Sequence, residues 1–339
     1  MIQLVRIRST IMKNYAIGVD IGGTKCSVVL GKGRIPDSGL EDFILDKICF
    51  PTEAAKGPEY TISNIIDAVY KVMQKNHVDA KNTVGIGISC GGPLDHKKGV
   101  VMNPPNLYGW NDIPIVQLME QEFHIETLIQ NDANACALAE WKFGAGKGYK
   151  NLVFLTFGTG MGAGLILDGR LYNGTNDMAG EVGHIRLEKE GPVGFGKSGS
   201  FEGFCSGGGI AQIAKAKVIE KLQIGVKPAL CPELGTLDNL SAKTVALAAD
   251  QGDELAQSIY KTSGFYLGMG LSIIIDILNP EIIILGSIYE RSEHLLLPSV
   301  KKVIEKEALK ASRDVCKIVP AKLGEQIGDY AALSVAFGK

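Results

Sequence analysis

The sequence predicts an α/β fold built from two related halves, and three observations carry that reading. Apolar runs of strand length alternate along the chain with longer stretches at helical spacing. A strand, glycine turn, strand pattern at residues 15–30 returns at 151–168, a duplication spaced by half a chain rather than by a solenoid period. The 339 residues correspond to about two domains at roughly 150 residues each.

Taken in order, residues 1–14 form an N-terminal extension, of which 1–11 are expected to be poorly ordered. They hold no continuous apolar core of the kind a secretory leader needs. Residues 15–20 and 26–30 are predicted strands around the turn Ile21-Gly-Gly-Thr-Lys25, a hairpin signal. Ile62, Ile65, Ile66, Val69, Val72 and Met73 share one face of a helix over 59–76. A buried strand over 84–89 runs into Cys90-Gly-Gly-Pro93. A helix over 113–123, a strand over 127–130 and a helix over 133–143, starting just after Asn131-Asp132, follow. The second half repeats the theme, with a strand at 151–157, a glycine turn at 158–164 and a strand at 165–168. Mostly helical stretches over 210–222 and 244–278, a strand over 281–285 and a last helix near 327–337 complete it.

Composition excludes several classes of function. Lys+Arg and Asp+Glu number 35 and 37, a net charge of −2 with no basic run, so no nucleic-acid partner is expected. The longest apolar stretch, 271–288, is broken by Asp276 and by Asn279-Pro280-Glu281, so no membrane span is expected. Seven cysteines, an odd number without a C-x-x-C pair, fit reduced thiols and a cytoplasmic protein.

Two glycine turns between strands expose backbone N–H groups that can cradle an anion, and each carries a hydroxyl, Thr24 and Thr159. Asp20 supplies the carboxylate that phosphate-bound Mg²⁺ needs. Either turn alone reads as a tight hairpin; together they suggest a nucleotide-phosphate cleft between related lobes. Gly158-x-Gly160-x-x-Ala163 fits the dinucleotide fingerprint, but a predicted strand follows where a helix is required. Residues 191–198, Gly-Pro-Val-Gly-Phe-Gly-Lys-Ser, match the P-loop letters, and a P-loop NTPase is an alternative reading. Lys189-Glu190 before them and further glycines after them are the wrong context. Asn131-Asp132 reads equally well as a helix N-cap, and His184 alone as a hydrogen-bonded histidine.

Six segments in register carry a resemblance. Residues 17–25 (IGVDIGGTK), 85–93 (GIGISCGGP), 103–106 (NPPN) with Trp110, 130–135 (QNDANA), 157–162 (FGTGMG) and 180–184 (GEVGH) stand in the order seen in the ROK family of sugar kinases and repressors. The chain resembles that family from about residue 15 to its end. The resemblance implies an actin-like, ribonuclease-H-like ATPase fold. Its N-terminal lobe would span 15–130, with the helix at 327–339 returning to it, and its C-terminal lobe 131–326.

The implied activity is glucokinase-like: ATP- and Mg²⁺-dependent phosphorylation of a hexose or N-acetylhexosamine, at the 6-hydroxyl, by a homodimer. In that reading Asp132 is the general base, and Asn131, Glu181, His184 and Glu202 bind the sugar. Asp20, Gly22, Gly23 and Thr24 form the first phosphate motif, Thr159 and Gly160 the second, and Gly286 belongs to the adenosine region. The same family contains sugar-responsive repressors, which carry a helix-turn-helix module ahead of the shared domain; only 14 residues precede the first predicted strand. Many members also bind structural zinc through a histidine and three cysteines. Here Gly194, Gly196 and Ser200 stand at the cysteine positions, so no structural zinc is expected. Packing of Phe195, Phe201 and Phe204, or sugar bound through Glu202, is expected to order that loop.

Overall fold

The computed structural model of the protein describes residues 13–36 and 39–338, so the expected 1–11 extension lies outside the described residues. The chain divides into two compact units, Met1–Ala135 with Gln326–Lys339, and Cys136–Glu325.

In the first unit, β1 (Tyr15–Ile21), β2 (Lys25–Lys32) and β3 (Ile44–Pro51) form an antiparallel meander. Helix α1 (Pro58–Lys75) leads to β4 (Thr83–Cys90), parallel to β1. The small ribbon of β5 (Leu94–Asp95) and β6 (Val100–Val101) and helix α2 (Ile115–Phe123) precede β7 (Thr127–Asn131), parallel to β4. The sheet order is β3-β2-β1-β4-β7.

Strand alternation gives this sheet two faces. Ile17, Val19, Val28, Ile86 and Ile88 point toward the apolar stripes of α1 and α2, among them Ile65, Val69, Ile115 and Met119. Each fully buried aliphatic side chain of this kind contributes about 1.5–3 kcal/mol. The opposite face carries Gly18 and Gly87 in one row, and the C-terminal helix (Ile327–Ala336) lies directly on it. A Cβ on Gly87 would stand 2.2 Å from the Ala332 carbonyl oxygen, so only glycine permits this approach.

Helix α3 (Asp132–Phe143) contains the point of division, between Ala135 and Cys136. In the second unit β8 (Leu152–Phe157), β9 (Met161–Leu167) and β10 (Arg170–Leu171) form a second antiparallel meander. A hairpin of β11 (Val193–Gly194) and β12 (Lys197–Ser198) precedes α4 (Phe201–Cys205), α5 (Gly207–Gln223), α6 (Ala242–Asp250) and α7 (Glu254–Leu278). Then come β13 (Ile282–Leu285), α8 (Ile288–Glu307), α9 (Lys310–Arg313) and β14 (Lys317–Pro320). The order β10-β9-β8-β13-β14, with β13 parallel to both β8 and β14, repeats the first sheet strand for strand. The duplication read from two glycine turns is therefore one of whole sheets.

Three expectations need correction. The second glycine turn is short: β9 begins at Met161, because residues 161–164 pair with β8 as strand. The mostly helical stretch over 244–278 is resolved into two helices, with Asp253 capping α7 by accepting from the Ala256 N–H at 2.8 Å. Strands β3 and β14 and helix α8 were not anticipated. Among the described residues α7 is the one helix long and apolar enough to cross a membrane; here Ile259, Leu267, Leu271 and Ile275 bury it in the core of the second unit.

Candidate functional site

Within the first unit the predicted residues gather at the carboxyl ends of β1, β4 and β7, the edge where open α/β sheets bind ligands. Asp20 stands at the end of β1, opposite Ser27 of β2 and Ser89 of β4. Its carboxyl is pushed up to about 6: burial is the main cause and the Asp132 and Asp329 charges add to it, while a Ser89 hydrogen bond and Lys25 pull the other way. The turn beyond it is clamped. The Gly22 N–H donates to the Lys25 carbonyl at 3.1 Å, and Thr52 Oγ1 donates to the Gly22 carbonyl at 2.5 Å. A Cβ on Gly23 would stand 2.8 Å from the Asn106 carbonyl oxygen, and Thr24 is exposed at the tip.

Asn131 ends β7 beside Cys90 of β4, and Asp132 opens α3. The Ala133 N–H donates to Asp132 Oδ1 at 2.8 Å and to Asn131 Oδ1 at 2.9 Å, so both side chains do cap the helix. The cap leaves Asp132 with an open surface, and the protein packed around it raises its carboxyl above the usual range, with the Ala133 N–H and Asn131 opposing. The capping and catalytic readings of this pair are thus compatible in geometry.

Within the second unit, Thr159 is exposed at the tip of the β8–β9 turn, and the Gly158 N–H closes the turn on the Gly160 carbonyl at 3.2 Å. Glu202 on α4 reaches this turn: its Oε2 accepts from the Met161 N–H at 2.9 Å, and a Cβ on Gly160 would stand 3.0 Å from it. Glu181 and His184 are exposed on the short turn at Val182–His184, whose Gly183 packs on the Met161 carbonyl and beside Glu202. Gly286 is buried after β13, against Phe154. The Gly207 N–H at the start of α5 donates to the Gly158 carbonyl at 2.7 Å, fixing the helix N-terminus against the turn.

The loop bearing the P-loop letters folds as the β11–β12 hairpin, not as a strand, phosphate loop and helix. Lys197 Nζ donates to the His184 carbonyl at 2.7 Å, and Arg186 Nη1 to the Ser198 carbonyl at 2.7 Å. At the expected zinc positions, a Cβ on Gly194 would meet the Gly203 nitrogen at 2.6 Å, and Ser200 Oγ accepts from the Gly203 N–H at 3.1 Å as the cap of α4. Gly196 sits at the hairpin tip with a φ of +74°. Phe201 and Phe204 are buried, the latter stacked on Tyr266, whereas Phe195 is 80% exposed and does not order the loop as expected. Hydrogen bonds from Arg186, Lys197 and Gln212 take that part.

Ser27, Lys47, Ser89 and Asp329 also lie near Asp20, though no sequence motif singles out three of them. Ser89, just before Cys90-Gly-Gly, was the one with a local signal; Ser27 and Asp329 meet across 302 positions.

The chain is similar to known proteins over nearly its whole length. A glucokinase from Halalkalibacterium halodurans is 34% identical over 318 residues, covering 93% of this chain and 92% of that one. The xylose repressor of Bacillus spizizenii is 27% identical, covering 92% of this chain and 74% of the repressor. The crystal structure of a ROK family glucokinase from Streptomyces griseus in complex with glucose and AMPPNP superposes with a TM-score of 0.72 at 28% identity, covering 94% of this chain and 98% of that one. The two units are the two lobes of the actin-like ATPase fold, and with residues 16–337 matching it, the chain belongs to the ROK family.

Proposed function

We propose that this protein is a cytoplasmic, homodimeric sugar kinase that transfers the γ-phosphoryl group of ATP to the 6-hydroxyl of a hexose or an N-acetylhexosamine. One observation carries the reading: Asp132 offers an accessible carboxylate at the carboxyl end of β7, with Oδ1 fixed by the Ala133 N–H and a raised affinity for a proton. A base held in place in this way needs only an acceptor hydroxyl within reach. The similarity to glucokinases supplies the substrate class.

In this mechanism Asn131, Glu181, His184 and Glu202 orient the sugar, and Asp132 takes the hydroxyl proton as the oxygen attacks the γ-phosphorus. The bond to the β-phosphate oxygen breaks and ADP leaves. The backbone N–H groups of the turns at Gly22–Thr24 and Thr159–Gly160 cradle the phosphates, and Gly286 flanks the adenosine. Asp20 suits a hard divalent cation, because its oxygens are held near two further carboxylates whose repulsion a cation relieves. It would hold Mg²⁺, directly or through water; when bound, Mg²⁺ neutralises charge on the transferring phosphoryl group.

The test is a coupled ADP-release assay over glucose, mannose, fructose, allose, N-acetylglucosamine and N-acetylmannosamine with Mg²⁺ and ATP. Turnover with one or more of them supports the reading. Tight sugar binding without ADP release, together with salt-sensitive DNA binding, would establish a regulator like the xylose repressors instead.

A further inference from the structure

The face of the first sheet that carries Asp20 holds an ion pair that the catalytic scheme above does not use. The register sets two rows across the strands. Ser89, Asp20, Ser27 and Cys49 form one, and Gly87, Gly18, Val29 and Lys47 the next, one pleat back from the carboxyl edge. The C-terminal helix rests on the glycines of the second row, which brings its first turn over Asp20. A Cβ on Gly328 would stand 3.0 Å from Asp20 Oδ2. The next residue, Asp329, is 5% exposed. Its Oδ2 accepts from Lys47 Nζ at 2.6 Å and its Oδ1 from Ser27 Oγ at 3.3 Å.

The helix has close contacts besides this pair, since Gly18, Gly31 and Gly87 pack against the backbone of Ala332, Leu333 and Ala336 and the Leu333 side chain. A largely buried ion pair seldom adds net stability over apolar residues of the same volume. What the pair does is local. It holds an ammonium, itself partly open to solvent, on the buried carboxylate of Asp329, next in sequence to the Gly328 that stands over Asp20. A polyphosphate approaching the Gly22–Thr24 turn otherwise meets a cluster of carboxylates.

We propose that Lys47, held by Asp329, whose other carboxylate oxygen accepts from Ser27, is a positioning residue that keeps a counter-charge near Asp20 and so admits the phosphate end of the nucleotide. This rests on the sugar-kinase reading for its ligand, not for its geometry.

The test measures half-saturating ATP and sugar in steady state, and separately the binding of a fluorescent ATP analogue with Mg²⁺ and no sugar. Lys47→Met is expected to raise half-saturating ATP and weaken analogue binding about tenfold, to leave half-saturating sugar within about twofold, and Lys47→Arg is expected to restore most of the loss. Asp329→Asn keeps one oxygen to accept from Lys47 while its amide NH2 can donate to the Ser27 hydroxyl, and so guards against a variant that fails to fold. It is expected to weaken analogue binding about threefold, through looser placement of the ammonium. Unchanged analogue binding in folded Lys47→Met or Asp329→Asn, with only a lower melting temperature, overturns the proposal, as does Lys47→Arg behaving like Lys47→Met. If wild type binds the analogue but phosphorylates no sugar, the kinase reading fails while the binding arm still decides the role of Lys47.

Discussion

Lys197 Nζ donates to the backbone carbonyl of His184 at 2.7 Å, so the lysine of the P-loop letters closes a surface hairpin. Lys197→Ala should therefore leave half-saturating ATP within about threefold of wild type, since it removes no phosphate contact. Gly160→Val should raise it severely, because even a Cβ there would stand 3.0 Å from Glu202 Oε2. Nucleotide titration of both variants decides the matter. A collapse in the first with a benign second would return the nucleotide to residues 191–198.

Asp132→Asn preserves the shape and helix-capping capacity of the side chain, whose Oδ1 accepts from the Ala133 N–H, but removes the proton acceptor. Turnover should fall by about 10²–10⁴ with sugar affinity largely kept. Single-turnover kinetics alongside calorimetric sugar titration separates the two effects, and turnover like that of wild type would remove Asp132 from its role.

The loop at 191–205 is fastened by its own hydrogen bonds, so EDTA should leave the melting temperature unchanged when Mg²⁺ is absent from both samples. Gly194→Cys should not create a zinc ligand. It forces a side chain onto the Gly203 nitrogen and Glu202 Cβ, 2.6 and 2.8 Å from the Cβ position, and should cost about 1–3 kcal/mol by overpacking. Elemental analysis and thermal melts check both statements. Stoichiometric zinc would show that ligands from elsewhere complete a site at His184.

Glu140 is fully buried and accepts from three backbone N–H groups, those of Ala145, Lys322 and Leu323. Truncation to Ala would strand these donors and should destabilise the protein by about 3–5 kcal/mol. Burial raises its carboxyl, outweighing the three hydrogen bonds. The folded state therefore holds the proton to higher pH than the unfolded chain does. Its contribution to stability must decline as pH rises from the ordinary glutamate range through the raised value. Urea unfolding of wild type and Glu140→Gln across pH 4–8 should show the wild type losing this increment and the variant lacking that slope.

The sheets were legible where apolar residues run unbroken, as in Ile282–Leu285, and where a glycine turn joins two such runs, as at Gly22–Gly23. β3 was not, because as an edge strand it buries no residue fully, alternating half-buried with exposed positions, and carries Asp46 and Lys47. Nor was α8, whose polar outer face and internal Pro298 mask the buried Leu296, Val300 and Val303. At the candidate site, Asp20 and Asp132 stand out because each lies where a strand gives way to a turn or a helix start. Asp329 could not be found this way: its partners lie more than 280 positions away, and only the packing of the C-terminal helix on Gly18 and Gly87 brings them together.

That packing has a consequence for biosynthesis. Residues Cys136–Glu325 are contiguous, so the second unit holds every strand of its sheet before the chain's end is made. The first unit is emitted first yet lacks the cover for the Gly18–Gly87 face until Ile327–Ala336 leaves the ribosome. The part translated earliest must be the last to reach its native state, and a nascent chain halted near residue 325 would present that bare β-surface to chaperones.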